Sequence, residues 1–559
     1  MSFDLVIRGG RVVDGTGMPG FTADVAVRDG VVVRIGRVTE AAARTIDADG
    51  CIVTPGFIDV HTHYDAQLHW EPTASPASWH GVTTVLTGNC GFTLAPAKPE
   101  DTTWLAQMLS RVEGMSAECL AAGLRWRGGG FGEYLEALDG RIAVNMGAYV
   151  GHSAIRRHVM GDDASARRAT PVEIGSMQAL VRQAMYEGAI GFSTSQLDIH
   201  VAHDGREVPS NHAAPEEIVA LASVLAEFDH GAIEIIPRTF VEGYDEADRR
   251  LLLDLYRASG RPIELNTMVP LPHQMEGWRR GLEFVRASFR AGARLHPMFA
   301  TNELGAHFSL DTTFLFDEMP TWRATLCLAS PKRERRLRDP AVREVLLTEL
   351  ADPRGRAFVF VWQVVFVEAV VRPEHERWIG MHVADVAEAM GKAPLDAFLD
   401  LALAEDLRTQ FVVGAPNDHS RDDATAELIR DPIVMAGSSD GGAHVLSFTG
   451  ADYTTRLLAE WVPSTLTLEQ AVSKLTMIPA VVHGVCDRGV VREGAAADLV
   501  VFDPSRLGCT GTRLVKDFPA GAGRYVVGAE GYVATVVNGA VVFDAGAYTG
   551  ALPGHVLRG

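Results

Sequence analysis

Cysteine and long apolar runs are both scarce in this sequence. Six cysteines in 559 residues form no Cys-x-x-Cys pair, which argues against a disulfide framework and a zinc ribbon. The most apolar stretch, 358–371, is interrupted by Gln363 and Glu368, so no transmembrane helix is predicted. The opening MSFDLVIRGG lacks the basic and apolar regions of a signal peptide. These absences together predict a cytoplasmic protein.

Positive charge is also in short supply. The chain has 51 basic and 71 acidic residues, a formal net charge of -20. A surface of this sign repels phosphate backbones and anionic lipids. The densest basic run, KRERRLR at 332–338, has the pattern of a solvated surface helix. The predicted partner is therefore a small-molecule substrate and neither nucleic acid nor membrane, with homo-oligomerisation left open.

The two ends of the chain differ in pattern from its middle. Residues 1–55 and 481–559 carry short β-branched runs separated by glycine turns, which predicts a small β domain built from both termini. Between them, residues 56–480 alternate strand-like runs with amphipathic helical patterns, typical of a parallel α/β fold.

Eight apolar runs in the middle region are candidate strands, the number found in a (β/α)8 barrel. They are 57–63, 82–88, 142–151, 189–195, 232–238, 262–268, 294–301 and 432–440. The segment at about 302–430, between the last two runs, is too long for a loop. We expect it to be a structured insertion over one end of the barrel that could form a lid or part of a substrate pocket.

Two histidines stand one residue apart in GFIDVHTHYD at 56–65. In an extended strand His61 and His63 share a face, about 6.5 Å apart, and their imidazoles can converge on one divalent ion. The pair follows the first candidate strand, and barrel enzymes keep their active sites at the carboxyl ends of the strands. The alternative is two polar residues at a strand end with no metal.

Two further residues follow other candidate strands at the same predicted height. Cys90, flanked by Asn89 and Gly91, comes after the second strand, and a thiolate suits zinc, although a free cysteine is more usually a small buried residue. Asp440 ends the eighth strand, where it would ligate the metal or accept a proton from its water.

Four segments carry a family resemblance: GFIDVHTHYD, VTTVLTGNCGFTLAP, SSDGGAH and DRGVVREGAAADLVVFDP. They resemble the metal-dependent amidohydrolase superfamily, in its N-acyl-D-amino-acid deacylase (D-aminoacylase) branch. The resemblance implies a TIM-type barrel with a small β-sandwich from both chain termini. It also implies that His61, His63, Cys90 and Asp440 are metal ligands, with Cys90 replacing the bridging lysine of other branches. The fourth strand, GFSTS, indeed offers no lysine.

The sequence departs from that branch at two positions. The branch places metal-binding histidines at the ends of strands five and six, whereas this chain has IIPR at 235–238 and LNTM at 265–268. The remaining ligands suffice for one ion, so the prediction is one zinc per chain. Glu234 is a possible extra ligand, with a buried ion pair to a neighbouring arginine as the alternative. His152, which follows strand three, and Arg156 are candidate substrate-binding residues. Arg156 is either a clamp for a substrate carboxylate or a charge on a surface helix.

The function implied is hydrolysis of an amide C–N bond other than a peptide bond in an N-acyl amino acid, with Asp440 as the general base. Two alternatives stay open. The same barrel could act on a lactone, cyclic amide or aryl amide, or catalyse a decarboxylation. Alternatively, the chain is a non-catalytic binding protein. No role is assigned to His80, Asn89, His200, His203, His419 or His444.

Overall fold

The computed structural model describes residues 2–202, 205–271, 273–299, 301, 305–414, 420–448 and 450–559. Within these ranges no disulfide bond joins any of the six cysteines. No helix in the described part of the chain is long and apolar enough to cross a membrane.

The centre of the molecule is a set of short parallel strands, almost all of whose residues are buried. All eight predicted runs contain a strand, each shorter than its apolar run. In chain order they are Phe57–Asp59, Val82–Thr87, Asn145–Ala148 with Val150–Gly151, Gly191–Ser195, Ala232–Ile236, Ile263–Leu265, Leu295–Phe299 and Met435–Ala436. We number them strands one to eight. Each pairs in parallel with the next along the chain.

The first and last strands also meet beyond their ends. Thr62 and Gly441 form a parallel bridge, and the backbone N–H of His63 donates to the carbonyl of Gly441 at 2.7 Å. The segments that follow strands one and eight are thereby held side by side.

Helices connect the strands and give the molecule its α/β character. Their α-helical bounds are Thr102–Val112, Ala117–Gly123, Phe131–Leu138, His152–Met160, Pro171–Glu187, Pro215–Ser223, Glu246–Ser259, Met275–Arg290, Asp422–Arg430, Tyr453–Glu460, Leu468–Leu475 and Met477–His483. Their boundaries follow local chemistry. The helix Pro171–Glu187 begins with a reciprocal Thr170–Glu173 capping box and ends at Gly188, whose φ of 109° suits glycine.

Single 3-10 turns fill many of the connections. They are Gln67–His69, Ala77–His80, Asn89–Gly91, Pro99–Asp101, Gly161–Ser165, Pro209–His212, Val224–Glu227, Phe240–Glu242, Pro373–Trp378, Gly450–Asp452 and Pro519–Gly521.

Both chain ends contribute to one nine-stranded sheet. Its strands are Phe3–Val12, Phe21–Arg28, Val31–Gly36, Ala42–Asp47, Ile52–Pro55, Leu499–Phe502, Tyr532–Val537, Ala540–Asp544 and Ala547–Tyr548. The strand Ile52–Pro55 joins the two halves, because it pairs with both Phe3–Val12 and Leu499–Phe502. Two small antiparallel pairs complete the C-terminal part: Gly508–Cys509 with Ala529–Glu530, and Arg513–Val515 with Arg524–Val526.

The segment between strands seven and eight has a fold and core of its own. A three-stranded antiparallel sheet is formed by Ala306–Phe308, Val365–Ala369 and Gln410–Val413. Five helices surround it: Pro320–Leu326, Lys332–Arg338, Pro340–Leu350, Val383–Met390 and Pro394–Ala404. We call residues 305–414 the insertion. Its core is a cluster of packed aromatic rings that includes Phe308, Phe398 and Phe411.

Candidate metal centre

The two histidines of the first motif converge, although they lie just beyond the strand. Strand one ends at Asp59, so His61 and His63 are on the segment that bridges to Gly441. Both are buried, and their rings meet edge to face with centroids 5.3 Å apart. Their ligand atoms and that of Cys90 all lie within 4.8 Å of one another.

Cys90 is aimed into the site by a tight turn after strand two. Its φ is 55°, between Gly88 at 78° and Gly91 at 76°, a run of left-handed conformations that glycine adopts without strain. A Cβ on Gly88 would stand 2.6 Å from the carbonyl oxygen of Tyr149. The Asn89 side chain fixes the turn to strand one by donating to the carbonyl of Thr62 at 3.0 Å.

Asp440 reaches the same point from the turn after strand eight. Ser438 and Asp440 both have positive φ, 60° and 49°, and such conformations persist where their surroundings hold them. The Ser438 hydroxyl donates to Asn266 Oδ1 at 2.7 Å, and the Ser439 hydroxyl donates to the carbonyl of His61 at 3.1 Å. Asp440 Oδ1 thus lies 3.2 Å from His61 Nε2 and 3.8 Å from His63 Nε2.

These separations suit one divalent ion. Zinc–nitrogen bonds of 2.0–2.1 Å and zinc–sulfur bonds of about 2.3 Å place tetrahedral ligand atoms roughly 3.3–3.6 Å apart. The Cys90 Sγ to His61 Nε2 distance is 3.6 Å, inside this range, and the two Asp440 distances lie close to it. Two imidazoles, a thiol and a carboxylate are also a donor set that zinc accepts.

The surroundings of His61 favour positive charge. Its Nδ1 lies 3.7 Å from Glu234 and 3.6 Å from Glu264, both buried. Burial lowers the pKa of His61, but Cys90, Asp440 and Glu264 outweigh it and raise the pKa well above its ordinary value. A metal cation bound by His61 would place positive charge close to the carboxyl groups of Glu234 and Glu264, which would stabilise it.

Glu234 lies at the edge of the ligand cluster. Its Oε2 accepts a hydrogen bond from the backbone N–H of Cys90 at 2.6 Å, and its Oε1 lies 3.9 Å from Cys90 Sγ. Burial and the charge of Glu264 raise the pKa of Glu234 to about 8. The structure thus places the carboxyl among the metal-site residues and shows no ion pair to an arginine in the described part of the chain.

Two polar residues in the site were not predicted from the sequence. Just after strand six, where the branch has an imidazole, Asn266 Nδ2 lies 3.2 Å from His61 Nε2 and 3.8 Å from Cys90 Sγ. Glu113, which follows the helix Thr102–Val112, is buried with Oε1 3.1 Å from His63 Nδ1. The only sequence feature that pointed to Asn266 was its position at the end of an apolar run. No sequence feature pointed to Glu113.

His152 and Arg156 lie outside the metal cluster, in a buried network around Glu217. His152 Nε2 lies 3.0 Å from Glu217 Oε1 and its Nδ1 lies 2.9 Å from Thr194. The Arg156 guanidinium pairs with Glu217 and donates to the Arg167 carbonyl at 2.8 Å. Both side chains are fully buried and their contacts are to Glu217, Thr194 and the Arg167 carbonyl. Their role in substrate binding stays a prediction.

Five histidines were given no role from the sequence, and the structure describes three of them. His80 is buried between Thr455 and the carbonyl of Val527, at 2.8 and 3.0 Å, which is a structural position. His200 and His444 line the cavity described next. His203 and His419 lie outside the described residues.

A cavity of about 890 Å³ opens above the metal-site residues. His63, Cys90 and Asp440 lie at its foot, and its walls include insertion residues such as Phe314 and Phe360. A large, mainly apolar cavity with a few convergent polar groups is the usual form of a small-molecule site.

Two buried imidazoles, a buried thiol and a partly exposed carboxylate meet after parallel strands, beside a cavity. This arrangement defines the class: an α/β protein with a candidate catalytic metal centre. Comparison with known proteins gives the family. The amidohydrolase family model matches residues 44–543, and the chain belongs to that family.

Individual relatives confirm the resemblance to D-aminoacylases that the sequence motifs indicated. A D-aminoacylase of Alcaligenes xylosoxydans xylosoxydans is 31% identical, over 99% of this chain and 97% of the relative. The crystal structure of a Bordetella bronchiseptica N-acyl-D-glutamate deacylase with zinc and a phosphonate inhibitor is 27% identical, with a TM-score of 0.68 over 100% of both chains. A D-aminoacylase variant in complex with copper chloride is 26% identical, also with a TM-score of 0.68 over 100% of both chains.

Proposed function

We propose that this chain hydrolyses the amide bond of an N-acyl amino acid with the help of one zinc ion. The observation that carries the proposal is the convergence of the His61, His63 and Cys90 ligand atoms within 4.8 Å, with Asp440 beside them. Relatives that cover 99–100% of the chain include a D-aminoacylase, an N-acyl-D-aspartate deacylase and N-acyl-D-glutamate deacylases by name, and one of these is complexed with zinc. The substrate is then a small molecule.

His61, His63 and Cys90 would hold the ion, and Asp440 lies close enough to contact both the ion and the reacting groups. A divalent ion bound there supplies Lewis acidity, which polarises the scissile carbonyl and lowers the pKa of water from 15.7 toward about 7. Burial alone would raise the pKa of Asp440, but His61, His444 and His63 lower it to about 2. The carboxylate is therefore ionised at neutral pH, as a proton acceptor must be.

Asp440 accepts a proton from the attacking water and returns it to the leaving nitrogen. One carboxylate can serve both steps because its Oδ1 is within 4 Å of both imidazoles, while 29% of its side chain stays exposed toward the cavity. The buried Glu234 and Glu264 lie behind His61, where they stabilise the charge of the centre.

The fold that supports this site is, in our proposal, a closed (β/α)8 barrel with a β-sandwich built from both chain ends. Two observations support closure: the eight strands pair in chain order, and the segments after strands one and eight meet at Thr62 and Gly441. A closed barrel would place the carboxyl ends of all eight strands around one face, where the candidate metal ligands lie.

The test combines metal analysis with turnover. Wild-type protein is expected to hold one zinc per chain and to hydrolyse N-acyl amino acids, with activity lost to a chelator and restored by zinc. Asp440→Asn should lower kcat by about 10²–10⁴-fold, the usual contribution of a general base, with the fold unchanged. His61→Ala should lose the metal.

The control is Asp229→Asn, whose side chain is fully exposed. Full activity in Asp440→Asn would exclude its role, and preference for cyclic amides or lactones would exclude the substrate class.

A further inference from the structure

The cavity above the metal centre is much larger than the smallest N-acyl amino acids need. Its volume of about 890 Å³ lies near the top of the range of about 300–1,000 Å³ that holds drug-sized ligands. The metal-site residues occupy only its foot, so most of the wall is available to parts of a substrate that do not react.

One part of that wall is a cluster of aromatic rings contributed by two segments. Phe314 and Phe358 come from the insertion, and His444 and Phe448 from the turn after strand eight. The Phe314 ring stacks on His444 with centroids 4.5 Å apart and meets Phe358 edge to face at 5.7 Å. Phe358 and Phe448 lie nearly parallel at 6.0 Å. We call these four residues the aromatic wall.

The aromatic wall lies close to the candidate metal centre. His444 follows Asp440 by four residues, and both line the cavity. Phe314 is almost wholly buried at 8% exposure, whereas Phe358 and Phe448 are half-buried and keep accessible surface. Apolar surface that stays open beside an active centre loses contact with water when a ligand covers it, which favours binding.

The rest of the cavity lining is mixed and includes the charged residues Arg421, Asp422, Arg456 and Glu460. Further apolar residues that line it are Ile199, Ile236, Phe240, Met268, Leu271 and Val361. One cationic group in the wall, Arg456, is already paired with Asp452 at 2.6 Å and Glu460 at 2.9 Å. The rings packed beside Phe358 are those of Phe314 and Phe448, so the surface in this part of the cavity suits a hydrocarbon group better than a carboxylate.

We infer that the substrate carries a bulky apolar substituent, either an aromatic group or an alkyl chain, that packs against the aromatic wall while the amide lies at the metal centre. This inference rests on the proposed function. The apolar group can be the acyl chain or the amino-acid side chain, and two arms of one experiment separate these sources.

The first arm lengthens the acyl group of N-acyl-alanine from acetyl to decanoyl. The second keeps the acetyl group and enlarges the side chain from alanine to phenylalanine and tryptophan. In the arm that fits the aromatic wall, kcat/KM should rise by up to about fourfold for each methylene buried, as the transfer free energy of a methylene group implies. A preference for N-acetyl-alanine in both arms would overturn the inference while leaving the proposed hydrolysis intact.

Variants locate the contact. Phe358→Ala should lower kcat/KM for the apolar substrate by at least tenfold more than kcat/KM for N-acetyl-alanine, and Phe358→Leu should retain part of the gain. The matched control is Phe366→Ala, because Phe366 is also half-buried in the insertion but packs on His382 at 4.1 Å and does not line the cavity. Equal losses in both alanine variants would contradict a specific contact.

A binding measurement keeps the inference testable if turnover fails. Calorimetry with Asp440→Asn should show N-decanoyl-alanine, or N-acetyl-tryptophan, binding at least tenfold tighter than N-acetyl-alanine, and Phe358→Ala should abolish the difference. Tight apolar binding without turnover in wild type would reject the hydrolase and keep the apolar site. Equal weak binding of all three compounds would reject the apolar site.

Discussion

His63 lies between the metal centre and a second buried acid, Glu113. Burial and the neighbouring His61 keep the pKa of His63 well below its ordinary value, so the ring is neutral and one nitrogen is free of a proton. Glu113 Oε1 lies 3.1 Å from Nδ1, close but poorly aligned for a hydrogen bond. If the proton of the neutral His63 ring is on Nδ1, facing Glu113, the unprotonated Nε2 is the atom that can bind a metal. Metal-binding histidines usually have such a partner at their other nitrogen.

Glu113→Gln is therefore expected to weaken zinc binding by about 10–100-fold, the typical cost of losing such a partner, with little change in folding. Competition with a chromogenic chelator measures the affinity directly, without reference to turnover. The exposed Glu118, five residues further along, gives the control Glu118→Gln. Identical zinc affinity in Glu113→Gln and wild type would show that Glu113 does not orient His63.

At this scale the sequence predicts local patterns and misses distant partners. His61, His63 and Cys90 converge as predicted, because their spacing after consecutive strands is a local property. Asn266 joins them through the Ser438 hydroxyl, 172 residues away, and no local pattern encodes that contact. The partner of Arg156 was not predictable for the same reason, because Glu217 lies 61 residues further along the chain.

Among the elements, the helices His152–Met160 and Pro215–Ser223 are joined by the buried Glu217. Arg156 and His152 both contact its carboxylate. Glu217→Gln should destabilise the protein by about 3–5 kcal/mol, because it leaves the Arg156 charge buried without its counter-ion. Chemical denaturation measures the loss. If the network is structural, KM per folded molecule stays unchanged; a selective rise in KM would instead return Arg156 to a substrate-binding role.

The helix Leu468–Leu475 supports strand eight through a buried lysine. Lys474 Nζ donates to the carbonyls of Asp431 and Val434, at 2.7 and 2.8 Å, just before that strand. Burial lowers the pKa of Lys474 from 10.5 to about 8. Between these pH values the unfolded chain binds the proton more tightly than the folded one, so stability rises with pH in this window.

Lys474→Met removes this titration. Relative to the variant, the wild-type protein is expected to gain about 3 kcal/mol in unfolding free energy between pH 8 and 10.5. Urea unfolding of both proteins across that pH range measures the difference in unfolding free energy. The contributions of titratable groups that both proteins share cancel in this difference. Parallel pH profiles would show that the lysine titrates normally in the folded state.

Strand positions were predictable because short apolar runs bounded by glycine and polar residues are local signals. Strand ends were not. The first run extends to His63, but strand one ends at Asp59. Beyond it the N–H of Thr62 donates to the Leu86 carbonyl of strand two, whereas the N–H of His63 donates to the Gly441 carbonyl in the turn after strand eight. That competition is decided by tertiary contacts.

At the scale of the whole molecule, the insertion has its own core yet supplies part of the cavity wall. Phe411 packs on Phe398 at 4.6 Å and Phe308 at 5.6 Å, and it is fully buried. Phe411→Ala should cost about 3–5 kcal/mol, confined to the insertion. Hydrogen exchange should then accelerate in 305–414 while strands two and five keep their protection. Uniform acceleration throughout would show that the insertion and the parallel sheet unfold as one unit.

The shared terminal sheet also constrains how the protein is made. The strand Ile52–Pro55 leaves the ribosome about 440 residues before its neighbour Leu499–Phe502, which at about 5–20 residues per second is a delay of roughly 20–90 s. Throughout that interval one edge of a buried apolar strand has no mate in the nascent chain, and exposed edges of this kind invite pairing with other polypeptides. Translation speed and chaperone supply are accordingly expected to govern the yield of this protein as strongly as the stability of its finished form.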